Sequence, residues 1–167
     1  MLRENILTSH LLNSLQQGKI RKLVRSRTTS NKRIELRREV GNNSFFADIL
    51  ISLSPKNKGA AFFDSKKTKF IAIEVKISDW RQGLYQAWRY YSFAEKSYLA
   101  LYKDYAKNVD IDEFKKYNVG LIIFDETNVR IMHHPIKNSI SQNTYKAEVR
   151  ETIWRRSLAI ESVQPAI

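Results

Sequence analysis

The sequence predicts an α/β fold: a single-domain α/β sandwich in which helices flank a central mixed β-sheet. Apolar runs of strand length alternate with amphipathic helical stretches, the pattern of a layered α/β architecture. Two of those runs, residues 45–53 and 69–77, are long, dense in Ile and Val, and joined by a loop containing Pro55 and Gly59. The length of 167 residues suits one domain, 1–167, with a substantial core and is too short for two ordinary ones.

In chain order, residues 2–17 read as a helix, with Ile6, Leu7, Leu11 and Leu15 at near-helical spacing and Gly18 as its stop. Residues 28–31 form a polar loop. Residues 33–40 alternate as a first strand, with Ile34, Leu36 and Arg38 on one face. The turn residues 41–44 then lead into the strand at 45–53, making a hairpin. There Ala47, Ile49, Ile51 and Leu53 share one face, and Asp48 and Leu50 share the other. Residues 54–69, rich in lysine, read as a loop or mobile hairpin extension. In the strand at 69–77, Ile71, Ile73, Val75 and Ile77 point one way and Ala72, Glu74 and Lys76 the other.

The clearest helix is 79–96. Trp80, Leu84, Ala87, Trp88, Tyr91 and Ala94 form one apolar stripe toward the sheet, and Ser78 or Asp79 caps its start. Gln82, Gln86 and Arg89 gather on another face. A buried strand at 97–102 follows, then a short helix at 111–117 opened by Asp110 with Glu113. The runs 119–125 and 128–133 read as a strand pair, and 144–162 as a last helix with Val149, Ile153 and Leu158 inward. Arg150, Arg155 and Arg156 on it are available for phosphates.

Composition narrows the function. No apolar run approaches the roughly 20 residues needed to span a bilayer, and the opening residues lack the apolar stretch of a signal peptide, so a cytoplasmic protein without a membrane partner is expected. The absence of cysteine excludes disulfides, a thiol nucleophile and a thiolate zinc site. Histidine occurs only at His10, His133 and His134, too few for a histidine-rich metal site. The net charge is +12, and Lys19, Arg21, Lys22, Arg25, Arg27, Lys32, Arg33, Arg37 and Arg38 face one acid, Glu35, over that stretch. Such asymmetry points to a polyanion, most simply nucleic acid.

Asp48, Glu74 and Lys76 are charges set into apolar strands, where burial is costly unless they pair or bind a metal. If the strands run antiparallel, all three meet on one side of the sheet. Two carboxylates on neighbouring strands supply hard oxygen ligands suited to Mg²⁺ or Mn²⁺. The same residues also make sense as a structural ion pair of Glu74 with Lys76, with Asp48 as a strand-end cap.

Ala47-Asp48-Ile49, followed after a loop by Ile73-Glu74-Val75-Lys76, resembles the core of the restriction-endonuclease-like, or PD-(D/E)XK, nuclease superfamily. The helix after it, with Gln86-Ala87, resembles the glutamine-bearing helix of many members. The similarity covers about residues 33–102, and Ala47 stands where the motif has proline. The resemblance implies a restriction-like α/β fold and a Mg²⁺-dependent DNA endonuclease or nicking enzyme, with Mn²⁺ as a substitute, serving repair, recombination or defence. It further implies metal ligation by Asp48, Glu74 and the Val75 carbonyl, Lys76 acting on the attacking water, and Gln86 orienting the site. Glu39 is the candidate third acid, with Glu4 as the alternative. DNA contacts would come from Arg21, Lys22, Arg25, Arg27, Arg33, Arg37, Arg38 and Arg89, and a homodimer would allow both strands to be cut. The rival reading is a non-catalytic nucleic-acid-binding module on the same fold.

Overall fold

The computed structural model describes residues 3–24, 31–136 and 144–162. Its sheet holds six strands side by side in chain order: β1 (Lys32–Gly41), β2 (Phe46–Pro55), β3 (Lys69–Lys76), β4 (Lys96–Tyr102), β5 (Gly120–Phe124) and β6 (Val129–His133). β1, β2 and β3 form an antiparallel meander, β3, β4 and β5 run parallel, and β6 returns antiparallel to β5. Parallel neighbours need a long crossover. Helix α3 (Trp80–Arg89) supplies it between β3 and β4, and α4 (Ile111–Tyr117) between β4 and β5. This is the mixed sheet with flanking helices that the sequence predicts.

The helices cover both faces. On one, Leu7, Leu11 and Leu15 of the N-terminal helical region and Leu23 of α2 (Ile20–Val24) pack on Ile34, Leu36, Ile49, Ile51, Ile73 and Val75. On the other, α3 and α4 set Trp80, Leu84 and Phe114 against Leu99, Leu101 and Leu121. Farther along that face, α5 (Thr144–Leu158) sets Ile153 and Trp154 against Leu50, Phe70 and Ala72.

Several expectations shift. Gly18, expected as a stop, is a joint: α1 (Glu4–Ser14) runs into a π-helical turn, Leu15–Lys19, where Gly18 takes φ +104°, and the chain continues as α2. That angle suits glycine, which lacks the Cβ that penalises left-handed backbone. Helix α3 ends at Arg89 and passes through a 3₁₀ turn, Tyr90–Ser92, so Lys96 begins β4 and Ala94 lies off the helix. Trp88, within α3, is exposed instead of inward, as is Leu158 on α5, whereas Trp154 is fully buried. The strand alternation expected in 47–53 breaks at Ala47, which packs with Leu50 and Phe70 on the α5 face, as does Val40 across from it. The cause is Glu39, whose φ of 52° kinks β1 and reverses the alternation beyond Leu36.

The long 54–69 connection is strapped to the core. Arg150, expected at the surface, is 2 % exposed. Its guanidinium donates to the carbonyl of Thr68 at 2.8 Å and to those of Phe93 and Ser65, pairs with Glu95 at 3.0 Å, and stacks over the Phe70 ring. Trp154 donates from Nε1 to the Ala61 carbonyl, and the Phe63, Phe70 and Trp154 rings pack against one another. Removing one member of a buried ion pair strands the other. Arg150→Leu is therefore expected to lower unfolding free energy by about 3 kcal/mol in a urea titration, and adding Glu95→Gln should recover part of it.

Candidate functional site

The pairing of β2 with β3 ends at Ile49–Ile73, and the next residue is Asp48 on β2 and Glu74 on β3. Here the strands fork, and a side chain replaces the ladder. Asp48 Oδ2 accepts the Val75 N–H at 2.7 Å. A strand residue's N–H and C=O point toward the same neighbour, so the Val75 carbonyl also faces the fork. Glu74 is 3 % exposed; its Oε1 lies 3.1 Å from Lys76 Nζ, and Tyr90 Oη bonds its Oε2. Asp48, Glu74, Lys76 and Val75 are thus gathered at one strand fork.

Helix α3 closes the site from above. At Gly83 an added Cβ would lie 2.7 Å from Lys76 Cγ and 2.6 Å from a Leu99 methyl, so glycine lets the helix come down onto β3 and β4 and pins the lysine stem. Tyr90 is the functional residue that sequence reasoning missed. Its hydroxyl, at the end of α3, also reaches the Phe46 carbonyl at 2.5 Å. The available signal was its position one helical turn after Gln86, on the same side of the helix. Gln86 itself is half-buried, and its Oε1 is buried with no hydrogen-bond partner.

Electrostatics follow from this crowding. Burial, then the charge of Asp48, pushes the Glu74 carboxyl up to about 7, against the opposing Tyr90 hydrogen bond and Lys76 charge. Burial also raises Asp48, helped by Glu4 and Glu39 and resisted by the Val75 N–H and Lys76. For Lys76, burial pulls downward, but Glu74, Glu4 and Asp48 outweigh it and hold the ammonium above its ordinary value. Tyr90 is raised by burial and by Glu74, and stays a phenol. A phenol has one proton to give. With both Phe46 O and Glu74 Oε2 in reach, the bonds are all satisfied when Glu74 carries a proton, in keeping with its raised pKa.

Both third-acid candidates border the fork. Glu39 falls between the Arg38–Ile49 and Val40–Ala47 pairs, hence across from Asp48, and its left-handed backbone is strain of about 1–2 kcal/mol. Glu4, at the start of α1, reaches Lys76 at 3.6 Å. Neither converges with Asp48 and Glu74: among the described residues no group of three or more His, Cys, Asp or Glu side chains is placed to hold a metal. The oxygen set that fits a hard divalent ion is Asp48, Glu74 and the Val75 carbonyl, two neighbouring carboxyls with Lys76 as the cation beside them.

The basic residues do not form the single surface that their clustering in sequence suggests. Arg37 is buried, paired with Glu35 at 2.8 Å and bonded to Ser52, so it is removed from the phosphate contacts. Arg38 is held by Ser9 and the Asn5 carbonyl of α1. Arg33 lies beside Lys58, and Arg21 and Lys22 sit on α2, whose Leu23 carbonyl receives Lys96 at the start of β4. These three are at the end of the sheet opposite the fork, since Lys96 pairs with Ile71 and the acid lies toward Lys76. Arg25 and Arg27, with loop residues 28–30, lie outside the described residues. Arg89 is beside the site, its guanidinium over the Phe45 ring and its charge acting on Tyr90. On α5, Arg155 pairs with Glu151 and Arg156 with Asn43. His134 contacts the Tyr98 hydroxyl, away from the fork.

No protein-family model matches the chain, and no curated protein matches it. Among solved structures the chain is similar to a protein of unknown function from Silicibacter pomeroyi, at 12% identity over 74% of each chain, with a TM-score of 0.49. No helix among the described residues is long and apolar enough to cross a membrane.

The raised Glu74 makes stability depend on pH with a definite sign. Its pKa rises from 4.5 in the open chain to about 7 in the folded protein, so the folded state holds the proton more tightly. The stabilisation is complete below pH 4.5 and is lost as pH rises through 7, at about 1.4 kcal/mol per unit or about 3 kcal/mol in all. Glu74→Gln should flatten this part of the stability–pH profile and make the metal-free protein more stable than the parent at pH 8. A Tm series from pH 4 to 8 measures it.

Proposed function

We propose that the protein is a metal-dependent nuclease of the restriction-endonuclease-like kind, hydrolysing phosphodiester bonds in DNA as an endonuclease or nicking enzyme. The observation that carries this reading is the fork itself: Asp48, Glu74 and Lys76 meet where two strands part, with both acids held above their ordinary range. A structural ion pair needs one acid for one base; here a second carboxyl is kept beside the first at electrostatic cost. The antiparallel β1–β2–β3 meander followed by a helix crossover to a parallel β4 agrees with the proposed restriction-like fold.

Asp48, Glu74 and the Val75 carbonyl would hold Mg²⁺, or Mn²⁺ in its place, with Glu39 or Glu4 as an outer acid. When bound, the ion would supply charge stabilisation at phosphorus and a more acidic water. The chain's own groups do the rest. Lys76, kept protonated and pinned under α3, offers its ammonium to the attacked phosphate or the attacking water, which suits charge stabilisation better than proton abstraction. Gln86 presents an unpaired carbonyl oxygen from α3, able to accept a hydrogen bond from a water. Tyr90 holds Glu74 in place, and Arg89, beside the site, offers a guanidinium to a phosphate.

Labelled duplex, junction and single-stranded DNA incubated with EDTA, Mg²⁺ or Mn²⁺ tests the reading. Cleavage should require the metal and fall by about a hundredfold or more in Asp48→Asn and Lys76→Ala, with DNA affinity within a few-fold of the parent. Full-rate cleavage in EDTA, or in both variants, would overturn it. The non-catalytic binding module is favoured by the fact that Asp48 and Glu74 both have partners within the chain, and would show DNA binding with no metal-dependent cleavage. Because Glu74 must shed its proton to ligate, Mn²⁺ affinity by calorimetry should rise between pH 6 and 8, and Glu74→Gln should weaken it. Cutting both strands calls for two copies of a one-site chain, so we also propose a homodimer on duplex DNA, checked by sedimentation of the complex.

A further inference from the structure

Helix α3 has a second face that neither the core nor the acid fork uses. Tyr85 is 58% exposed, Trp88 44% and Tyr117 of α4 38%. Their rings form one chain, Tyr85 to Trp88 at 5.9 Å and Trp88 to Tyr117 at 6.3 Å. Large rings that could have been buried are instead lined up at the surface, which soluble domains seldom do without a partner.

The chemistry around the rings indicates what covers them. Helix α3 carries Arg81 and Arg89 and no acid. Arg81 is exposed, with its guanidinium 4.3 Å from the Trp80 ring, and Lys116 lies 5.7 Å from the Tyr117 ring. In α4 the acids are in the first turn, and Lys115 and Lys116 are next to Tyr117 in the last. Flat rings alternating with cations match a chain of flat bases joined by phosphates. A duplex hides its base faces in the stack, so such rings serve unpaired bases.

The face is also continuous with the site. At about 3.6 residues per turn, Tyr90, Gln86, Arg89, Tyr85, Arg81 and Trp88 follow one another round α3, from the side over Glu74 to the side against Tyr117.

We propose that the outer face of α3, together with Tyr117, binds an unpaired stretch of nucleic acid. About two or three bases would stack on Tyr85, Trp88 and Tyr117 while Arg81, Arg89 and Lys116 meet the phosphates. That this strand leads to the Asp48–Glu74 fork, making the substrate one with a single-stranded segment, rests on the cleavage reading above; the binding itself does not.

The full chain is titrated in EDTA with a short oligothymidylate and with a blunt duplex, following tryptophan fluorescence and anisotropy. Trp80 and Trp154 are buried, so Trp88 is the exposed indole that a stacked base would quench. Quenching by oligothymidylate is expected. Tyr85→Ala with Trp88→Ala should weaken oligothymidylate binding by about tenfold or more and leave duplex binding within about twofold, with the circular dichroism spectrum and Tm of the parent. A parent that does not bind oligothymidylate, including one whose rings mediate self-association instead, overturns the proposal, as does a folded double variant that binds as well as the parent. Single-strand binding without metal-dependent cleavage would sink the nuclease reading and leave this one standing. Cleavage by a double variant with unaltered single-strand affinity would do the reverse.

Discussion

Glu74 lies on a central strand with its carboxyl next to that of Asp48, and holding two carboxyls together out of water organises the surrounding chain. The supports come from the strand itself and from α3. Lys76 answers from the same strand, Tyr90 from the end of α3, and the Val75 N–H steadies Asp48 where the ladder can no longer do so. Lys76 and Tyr90 keep their places only while α3 stands close to the sheet, and Gly83 sets that distance. The fork, the helix and the missing side chain at Gly83 are one arrangement. A larger residue there would press on Lys76 and on the buried Leu99 together.

The order of elements was readable in the sequence because it rests on periodicity, which packing into two layers enforces along every strand. Asp48, Glu74 and Lys76 were readable because charges interrupt apolar runs at positions of matching parity. Tyr90 was not, because a tyrosine on an amphipathic helix reads as core until the hydroxyl's partner is known. The end of α3 at Arg89 was hidden too: the 3₁₀ turn that follows keeps apolar residues at nearly helical spacing, so the stripe runs on after the helix has stopped. The alternation through 39–47 was misread for a local reason, the left-handed Glu39, which no pattern of apolar residues announces.

Charge was the least legible property. Clustering of Arg and Lys between residues 19 and 38 suggested one basic surface, yet the strand and helices in that stretch point in different directions. Arg37 turns inward to Glu35, Arg38 is tied to α1, and Arg21, Lys22 and Arg33 end up across the sheet from the acids. Net charge describes attraction at a distance; it does not say which face a strand will present. Beyond Lys76 within the fork, Arg89 beside it belongs to α3, a helix whose sequence is conspicuous for aromatics and glutamines.

The clamp around Arg150 has a consequence for the timing of assembly. Phe70 lies near the start of the strand that bears Glu74, and its cover is Trp154 and the Arg150 guanidinium, 80 or more residues later in the chain. Contacts so far apart in sequence form late, after the entropy of closing a long loop has been met. As the chain leaves the ribosome, the meander and α3 emerge first, but the α5 face of the β3 strand stays open until the residues of α5 follow. The carboxyl pair therefore reaches its final geometry only after α5 has been made, and a nascent chain lacking α5 holds all the residues of the fork without the packing that brings them to rest.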